Sequence, residues 1–201
     1  MNDIKLRVAR IDDAAELLEI YTPYVESTAI SFETVIPSLE EFSLRMANRL
    51  TMYPYLVAES DGRLLGYAYL SPFVGRAAYI YSAETTIYLR TDCRRMGVGK
   101  MLYTALERIA LAQGITNLEA CIGMTDTPDE HLTNNSVEYH SHLGYRMVGR
   151  FYKCGRKFGT WYDMVWMEKL LGEHPDNPDD ITPFSELDTE TLKNAGIEIE
   201  I

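Results

Sequence analysis

Apolar positions recur along the chain with two different periods, and each period predicts a different kind of element. Spacings of three and four residues are typical of helices with one buried face, whereas spacings of two are typical of strands. The predicted helices are residues 14–21, 38–50, 98–113 and 134–143. The predicted strands are residues 6–11, 55–59, 64–69, 79–89, 117–122, 145–152 and 159–170. This order of elements predicts a mixed α+β domain built on one sheet.

Glycines and short polar clusters mark where these elements begin and end. Ser60-Asp61-Gly62-Arg63 separates two strand-like runs and therefore predicts a hairpin turn. Gly114 and Gly144 each follow a predicted helix, at the position where a left-handed residue commonly ends one. Ser38 stands before two acidic residues and an apolar periodic run, which is typical of a helix N-cap.

The acidity of the chain is concentrated at its C-terminal end. Residues 172–201 hold nine acidic residues against Lys193 alone, so they carry −8 of the net charge of −11. We therefore expect one domain over residues 1–171, a size that buries its own core, and an acidic extension over 172–201. The extension is expected to be a disordered tail, to pack on the domain through Phe184 and Leu187, or to contact a partner subunit. Residues 185–192 can form a short helix.

Charge and cysteine content argue against several classes of protein. A net charge of −11 disfavours binding to phosphate-rich surfaces, so neither a nucleic acid nor a membrane is expected as a partner. The three cysteines, Cys93, Cys121 and Cys154, have the spacing of neither a disulfide framework nor a metal site, and no metal is expected. The N-terminal residues do not resemble a signal peptide, and no run reaches the ~18 apolar residues of a membrane span. We expect a cytoplasmic protein.

The segment Arg94-Arg95-Met96-Gly97-Val98-Gly99 stands between a predicted strand and a predicted helix. Free N–H groups at a helix start suit a phosphate group, and glycines let a ligand approach the main chain. The two arginines and Lys100 add positive charge. A P-loop is excluded because Lys100 is followed by Met101 rather than by Ser or Thr. A dinucleotide fingerprint is disfavoured because it needs three glycines, and a turn without a ligand remains the alternative.

The same segment resembles the Arg/Gln-x-x-Gly-x-Gly/Ala motif with which the GNAT superfamily of N-acetyltransferases binds the pyrophosphate of coenzyme A. Other segments resemble its phosphinothricin and methionine sulfoximine acetyltransferase branch: Ser31-Phe32-Glu33, Ala58-Glu59-x-Asp61-Gly62, Gly66-Tyr67-Ala68-Tyr69, Glu84-Thr85-Thr86-Ile87-Tyr88-Leu89, Asn135-Ser136 through His140-x-x-Leu143-Gly144-Tyr145, and Gly159-x-Trp161-x-Asp163. The resemblance covers about residues 4–170. It implies a mixed, mostly antiparallel twisted sheet flanked by helices, with a bulged strand before the loop and splayed strands at the cofactor site.

The resemblance implies acetyl-CoA as the co-substrate and indicates which residues contact it. The pantetheine arm is expected to pair with the main chain of Ile87, Tyr88 and Leu89, where one free N–H can serve as the oxyanion donor. The pyrophosphate is expected on Arg94, Arg95, Met96, Gly97, Val98, Gly99 and Lys100. Asn135 is expected to contact the pantetheine arm, with Asn134 as the alternative by one residue; an Asn at a helix start is otherwise a cap.

Two residues correspond to the catalytic positions of this branch. Glu84 matches the glutamate that acts as general base, directly or through water; the alternative is a glutamate on the solvent face of a strand. His140 matches a histidine that can protonate the departing thiolate, since an imidazole titrates in a suitable range. Tyr139, beside it, is expected to pack inside.

The acceptor amine is expected to lie among Phe32, Glu33, Phe73, Arg76, Tyr79, Thr85 and Thr86. Arg76 would bind a carboxylate or phosphinate through a bidentate pair, unless it is a surface arginine. The predicted function is acetyl transfer to the primary amine of an amino acid or of a phosphinothricin-like or methionine sulfoximine-like analogue. The alternatives are another acceptor, such as a polyamine, an aminoglycoside or a protein N-terminus, and a non-catalytic acyl-CoA sensor. The branch also implies a homodimer, with the strands around Trp161 as its interface.

Overall fold

Seven strands form a single sheet. The computed structural model describes residues 4–93 and 96–199. The strands are β1 Lys5–Val8, β2 Tyr55–Ser60, β3 Arg63–Pro72, β4 Ser82–Leu89, β5 Asn117–Met124, β6 Arg146–Lys157 and β7 Thr160–Leu170. They lie in the order β1-β2-β3-β4-β5-β7-β6, and the neighbouring pairs are antiparallel except for β4 and β5, which run parallel. The predicted mixed, mostly antiparallel sheet is therefore confirmed.

Within the described residues, five helices flank this sheet. They are α1 Ala14–Ser27, α2 Leu39–Leu50, α3 Val98–Gln113, α4 Asn135–His142 and α5 Thr189–Asn194. Val57 and Tyr67 belong to the apolar cluster beneath α1 and α2, whereas Leu56 and Leu70 belong to the cluster beneath α3. Because successive strand residues point to opposite faces, β2 and β3 are buried on both sides. No helix in the described ranges is both long enough and apolar enough to cross a membrane.

The ends of two helices follow the local signals in the sequence. The Ser38 Oγ accepts a hydrogen bond from the Glu41 amide at 3.1 Å, which caps α2 as predicted. Gly114 adopts a left-handed conformation, with φ +92°, and ends α3 at the predicted boundary.

The first helix, in contrast, is longer than its apolar spacing predicts. It continues past Tyr21 to Ser27 and contains Pro23, which removes one intrahelical hydrogen bond. Its last turns are held by tertiary contacts: Val25 is buried, and the Tyr24 hydroxyl donates to the Leu89 carbonyl at 2.6 Å. Contacts with distant residues therefore extend the helix beyond the point that local spacing indicates.

Strands β4 and β5 separate soon after they begin to pair. They are joined only from Ser82–Glu84 to Asn117–Glu119, whereas β4 stays paired with β3 up to Leu89. The expected splay is therefore present. The expected bulge in β4 is not found in its pairing with β3, where the register runs unbroken over residues 66–72 and 83–89. From Thr85 onward, one edge of β4 has no strand partner in the described part of the chain.

The acidic extension packs on the domain through Phe184 and Leu187, which is one of the three alternatives expected for it. Phe184, Ala195 and Ile197 are buried in the same apolar cluster as α3. The Phe184 amide donates to the Met52 carbonyl at 3.1 Å, and the Gln113 side chain donates to the carbonyls of Met52 and Thr182. The extension thus completes the α3 face of the core.

Candidate active site

A cavity of about 390 Å³ occupies the gap between β4 and β5, and we call it the cleft. Its walls come from these two strands, from α3 and α4, and from the loop between α1 and α2. The predicted site residues that line it are Phe32, Glu33, Glu84, Thr85, Thr86, Ile87, Tyr88 and His140. The separation of two strands therefore brings the two predicted catalytic residues, Glu84 and His140, to one cavity.

Glu84 is the last residue of β4 that pairs with β5, so its side chain lies where the strands part. Burial raises the pKa of its carboxyl, and the positive charge of Arg49 opposes part of that shift. Within the described residues, the carboxylate has no hydrogen-bond or ion-pair partner. A half-buried, unpartnered carboxylate with a raised pKa can take up a proton from a bound ammonium group.

His140 uses both ring nitrogens inside the protein. Its Nδ1 lies 2.7 Å from the Ser136 carbonyl, and its Nε2 lies 2.7 Å from the Tyr103 hydroxyl. Because a carbonyl can only accept, Nδ1 carries the hydrogen, and Nε2 of the neutral ring accepts from Tyr103. Burial lowers the pKa of His140, although the bond to Ser136 works in the opposite direction. The buried ring therefore favours its neutral form, and Tyr103, which also lines the cleft, is its direct partner there.

The two glycines of the predicted phosphate loop have different surroundings. Gly97 is left-handed, with φ +81°, and among the described residues other than its two chain neighbours none places an atom within 4 Å of the position that a Cβ would take. It precedes α3 without a side chain to cap the first turn, so N–H groups there can bind an anion. A Cβ on Gly99 would lie 2.5 Å from the Tyr139 hydroxyl and 3.5 Å from Ile87 Cδ1. Gly97 thus fits close approach of a phosphate, whereas Gly99 lets α4 pack against α3.

The other predicted contacts of acetyl-CoA are distributed around this helix start. Met96 and Lys100 are exposed, and Val98 is buried. Arg94 and Arg95 lie outside the described residues. The Leu89 carbonyl already accepts from Tyr24, so one of the two lone pairs of this oxygen is used inside the protein.

The structure separates the roles of the two neighbouring asparagines at the start of α4. Asn134 accepts from the Thr125 amide at 3.2 Å and donates to the Thr125 carbonyl at 2.9 Å. Its side chain therefore holds the main chain just after β5 through two hydrogen bonds. Asn135 is exposed at the first residue of α4, where its side chain is available to a ligand.

Three of the predicted acceptor-site residues lie outside the cleft lining. Phe73 packs edge-on against Trp166, with ring centroids 5.2 Å apart, and against Tyr79 at 5.7 Å. Arg76 is exposed in the segment between β3 and β4. The cleft is instead bounded on its far side by β5 and by Met164 of β7.

A buried lysine holds the loop that carries Phe32 and Glu33. Lys157, on β6, donates to the carbonyls of Thr28 and Ser31, both at 2.7 Å. The loop is also tied to α1, because the Tyr21 hydroxyl and the Ser31 Oγ lie 2.7 Å apart. These bonds fix the loop over the cleft.

Several cleft residues were missed by sequence reasoning, namely Ile30, Ser31, Tyr103, Ala120, Cys121, Ile122, Gly123, Ser136 and Met164. Tyr103 lies on the buried face of α3, and its spacing in the sequence is that of an ordinary core residue. Residues 120–122 belong to the predicted strand 117–122 and Gly123 follows it, and the pattern of that strand does not reveal that its neighbour β4 turns away. The family segment around Asn135 and Ser136 was the one signal that pointed near Ser136.

Comparison with known proteins agrees with this geometry. A family model described as Acetyltransferase (GNAT) domain matches residues 6–166. The chain is 31% identical to a phosphinothricin N-acetyltransferase of Streptomyces viridochromogenes, over 92% of this chain and 96% of that protein. It is 32% identical to an L-methionine sulfoximine/L-methionine sulfone acetyltransferase of Pseudomonas paraeruginosa, over 83% and 94%. It also resembles the structure of a Sinorhizobium meliloti phosphinothricin acetyltransferase in complex with acetyl-CoA, with TM-score 0.81 and 32% identity over 90% and 97% of the two chains.

Proposed function

Because the chain belongs to the GNAT family of acetyltransferases, we propose that this N-acetyltransferase acts on the primary amine of an amino acid or of a phosphinothricin-like or methionine sulfoximine-like analogue. The observation that carries the proposal is the cleft itself. It opens where β4 and β5 part, and Glu84 and His140 both line it. The named functions of the two similar enzymes supply the class of acceptor.

Acetyl-CoA supplies the acetyl group as a reactive thioester. The residues that fit it are those around Gly97, where the first turn of α3 is uncapped and the space beside the glycine is open. The unpaired edge of β4 after Glu84 offers main-chain groups for the pantetheine arm and an N–H for the developing oxyanion. Asn135 is free to contact the arm because Asn134 is engaged by Thr125.

In the proposed reaction, Glu84 removes the proton of the acceptor ammonium, directly or through water, and the neutral nitrogen bonds to the acetyl carbon. The carbon–sulfur bond breaks, and the departing sulfur needs a proton. The Tyr103 hydroxyl supplies that proton, and His140 Nε2, 2.7 Å away, orients the hydroxyl. The proton that Glu84 removed from the acceptor returns to the tyrosine oxygen through water, so the proton balance closes. Phe32, Glu33, Thr85 and Thr86 line the cleft around the acceptor.

The decisive experiment is release of free thiol from acetyl-CoA with a panel of amines. The panel holds L-phosphinothricin, L-methionine sulfone, L-methionine sulfoximine, ordinary amino acids, a polyamine and an aminoglycoside. We expect thiol release with one or more amino-acid analogues and none with the polycations, and mass spectrometry should locate the acetyl group on the amine. Release with the polycations alone would contradict the proposed acceptor class.

We further propose a homodimer, in which the sheet edge formed by β6 and β7 packs against its copy. Met147, Phe151, Tyr152 and Trp161 are large apolar or aromatic residues of these strands, and each is between 47% and 71% exposed. Exposed apolar side chains concentrated on one sheet edge are typical of an interface. Light scattering should give twice the chain mass, and Trp161→Glu should give the single chain. A cytoplasmic location, where acetyl-CoA is available, belongs to the same proposal.

A further inference from the structure

A second cavity, of about 120 Å³, lies between α1, α2 and the sheet. Glu33 and Tyr88 line both this cavity and the cleft, so the two spaces adjoin. Much of its wall consists of aromatic hydroxyl side chains, and we call it the tyrosine pocket. These are Tyr21, Tyr55, Tyr67, Tyr69 and Tyr88.

The tyrosines form a rigid wall that is also polar. The rings of Tyr55 and Tyr69 are stacked, with centroids 4.7 Å apart and an interplanar angle of 19°. Tyr67 stacks on Tyr55 at 5.6 Å. Burial raises the pKa of Tyr55 and Tyr67 well above the ordinary value, so their hydroxyls stay neutral. Neutral hydroxyls can donate hydrogen bonds to an anion without repelling it.

In the charged side chains of the tyrosine pocket, some hydrogen-bonding atoms have a partner among the described residues and others do not. Glu33 Oε1 accepts from Arg45 Nη1 at 2.7 Å, but Glu33 Oε2 is buried and has no partner in the described part of the chain. Arg49 Nη1 donates to the Arg45 carbonyl at 2.9 Å, and its guanidinium lies 4.7 Å from the centre of the Tyr69 ring. Arg49 Nε is buried without a partner, and none of the described carboxylates forms an ion pair with Arg49.

The pocket therefore holds a guanidinium that pairs directly with no described carboxylate, although its charge acts on Glu84, and it also holds an unpaired carboxylate oxygen. Buried polar atoms of this kind are usually satisfied in native proteins, and an unpaired buried charge is costly. One donor, on Arg49, and one acceptor, on Glu33, are unmatched in the tyrosine pocket, and Glu33 also lines the cleft. A ligand that carries both a negative and a positive group would satisfy both.

We propose that Arg49 binds the anionic group of the acceptor, a carboxylate or a phosphinate, in the tyrosine pocket while the acceptor amine faces Glu84. Arg49 Nε and the tyrosine hydroxyls donate to the anionic oxygens, and Glu33 Oε2 accepts from the ammonium group. The acceptor is then a zwitterionic amine such as an amino acid. This inference rests on the proposed function, and it places anion recognition on α2 rather than on the exposed Arg76.

The test compares matched acceptors in matched variants. L-methionine sulfone is compared with its carboxamide, in which the anionic group is neutral, for the wild type, Arg49→Gln, Arg49→Lys and Arg76→Gln. Arg49→Gln should raise the KM for the carboxylate roughly 10- to 100-fold, with a much smaller change in kcat, and should abolish the preference over the carboxamide. Arg49→Lys should restore part of that preference, because it keeps the charge but not the planar fork.

The control is Arg108→Gln, which removes the same charge from the exposed face of α3, where Arg108 contacts only the Asn194 carbonyl at 3.3 Å among the described residues. Thermal unfolding of each variant checks that the fold is intact, since Arg49 also packs on Tyr69. A preference that survives in Arg49→Gln, or that disappears in Arg76→Gln alone, overturns the proposal.

Titration calorimetry with L-methionine sulfone in the presence of CoA separates this proposal from the proposed function. Binding to the wild type that Arg49→Gln weakens supports the role of Arg49 even if no acetyl transfer follows, in which case only the proposed function fails. Equal binding to both proteins, or no binding to the wild type, overturns the role of Arg49.

Discussion

The Tyr103 hydroxyl lies 2.7 Å from Nε2 of His140, and this bond joins α3 to α4 in the wall of the cleft. Both residues are almost completely buried. The bond fixes the orientation of the imidazole, and both the ring and the hydroxyl line the cleft. The histidine that the sequence predicted is therefore one member of a hydrogen-bonded pair of cleft residues.

Tyr103→Phe tests this pair. Loss of the hydroxyl leaves the buried Nε2 without a donor, so we expect the free energy of unfolding to fall by about 1–2 kcal/mol in urea titrations. We expect kcat to fall ~10-fold or more, with an unchanged Kd for acetyl-CoA. Tyr53→Phe, a buried tyrosine outside the cleft lining, is the control. Wild-type turnover in Tyr103→Phe would remove the hydroxyl from the mechanism.

Glu84→Gln tests the general base. We expect kcat/KM to fall ~10²- to 10³-fold near neutral pH, and the deficit should shrink as rising pH deprotonates the acceptor amine without help. The pH profile of thiol release measures both effects. An unchanged kcat/KM across the profile would exclude Glu84 as the base.

Glu84→Gln should lower the activity of the protein but raise the stability of its fold at high pH. Burial raises the pKa of Glu84 in the folded state, so the fold is destabilised as rising pH ionises this carboxyl. Glu84→Gln should therefore unfold at a higher temperature than the wild type at pH 8, with a smaller difference at pH 4. Differential scanning calorimetry at the two pH values measures this, and a lower unfolding temperature at pH 8 would contradict it.

Gly97→Asn tests the cofactor loop without breaking the backbone conformation. Asn tolerates the left-handed region, so α3 should still form, but its side chain would fill the open space beside the main chain. We expect the Kd for acetyl-CoA in calorimetry to rise ~10-fold or more. Gly62→Asn is the matched control, because Gly62 is also left-handed, with φ +73°, and has open space in the turn between β2 and β3. Equal affinities in the two variants would refute the assignment of the loop.

Glu119→Gln tests a buried carboxyl on β5, outside the cleft lining. Burial raises its pKa from 4.5 to about 7, and the negative charge of Glu168 adds to the shift. Since the folded pKa lies above the unfolded one, the wild type loses stability as pH rises between those values. The variant should be more thermostable than the wild type at pH 8 and equal to it at pH 4. Glu130→Gln, at a highly exposed position, should change neither value.

Phe184→Ala tests whether the acidic extension stabilises the domain. Phe184 is 6% exposed and packs in the α3 cluster, so its truncation should cost about 3 kcal/mol in urea unfolding. Leu44→Ala, on the exposed face of α2, should cost less than ~0.5 kcal/mol. Acetyl-CoA affinity should be unchanged in both. A loss near that of Leu44→Ala would show that the extension is only loosely attached.

Much of the fold could be predicted because its signals are local. Residues 98–113 form α3 with both predicted ends, since apolar spacing and Gly114 act within a few turns of each other. The hairpin of β2 and β3 follows from alternation and the turn at Gly62. The sequence did not predict the length of α1, because its last turns depend on a bond to Leu89, 65 residues away from Tyr24.

As with the fold, the sequence predicted one part of the candidate site, and the other part depended on tertiary structure. The sequence by itself determined the element order, the family and the two residues, Glu84 and His140, that meet at the cleft, because motifs and periodicity are written along the chain. Only the tertiary structure decided that Tyr103 lines the cleft, that Arg49 lines the adjoining tyrosine pocket and that Arg76 lines neither. Tyr103 and Arg49 are helix residues with ordinary spacing. Tyr103 reaches the cleft because β4 and β5 part, and Arg49 reaches the tyrosine pocket because α2 packs against α1 and β2. Pairing between distant strands creates such a gap, and no local pattern encodes it.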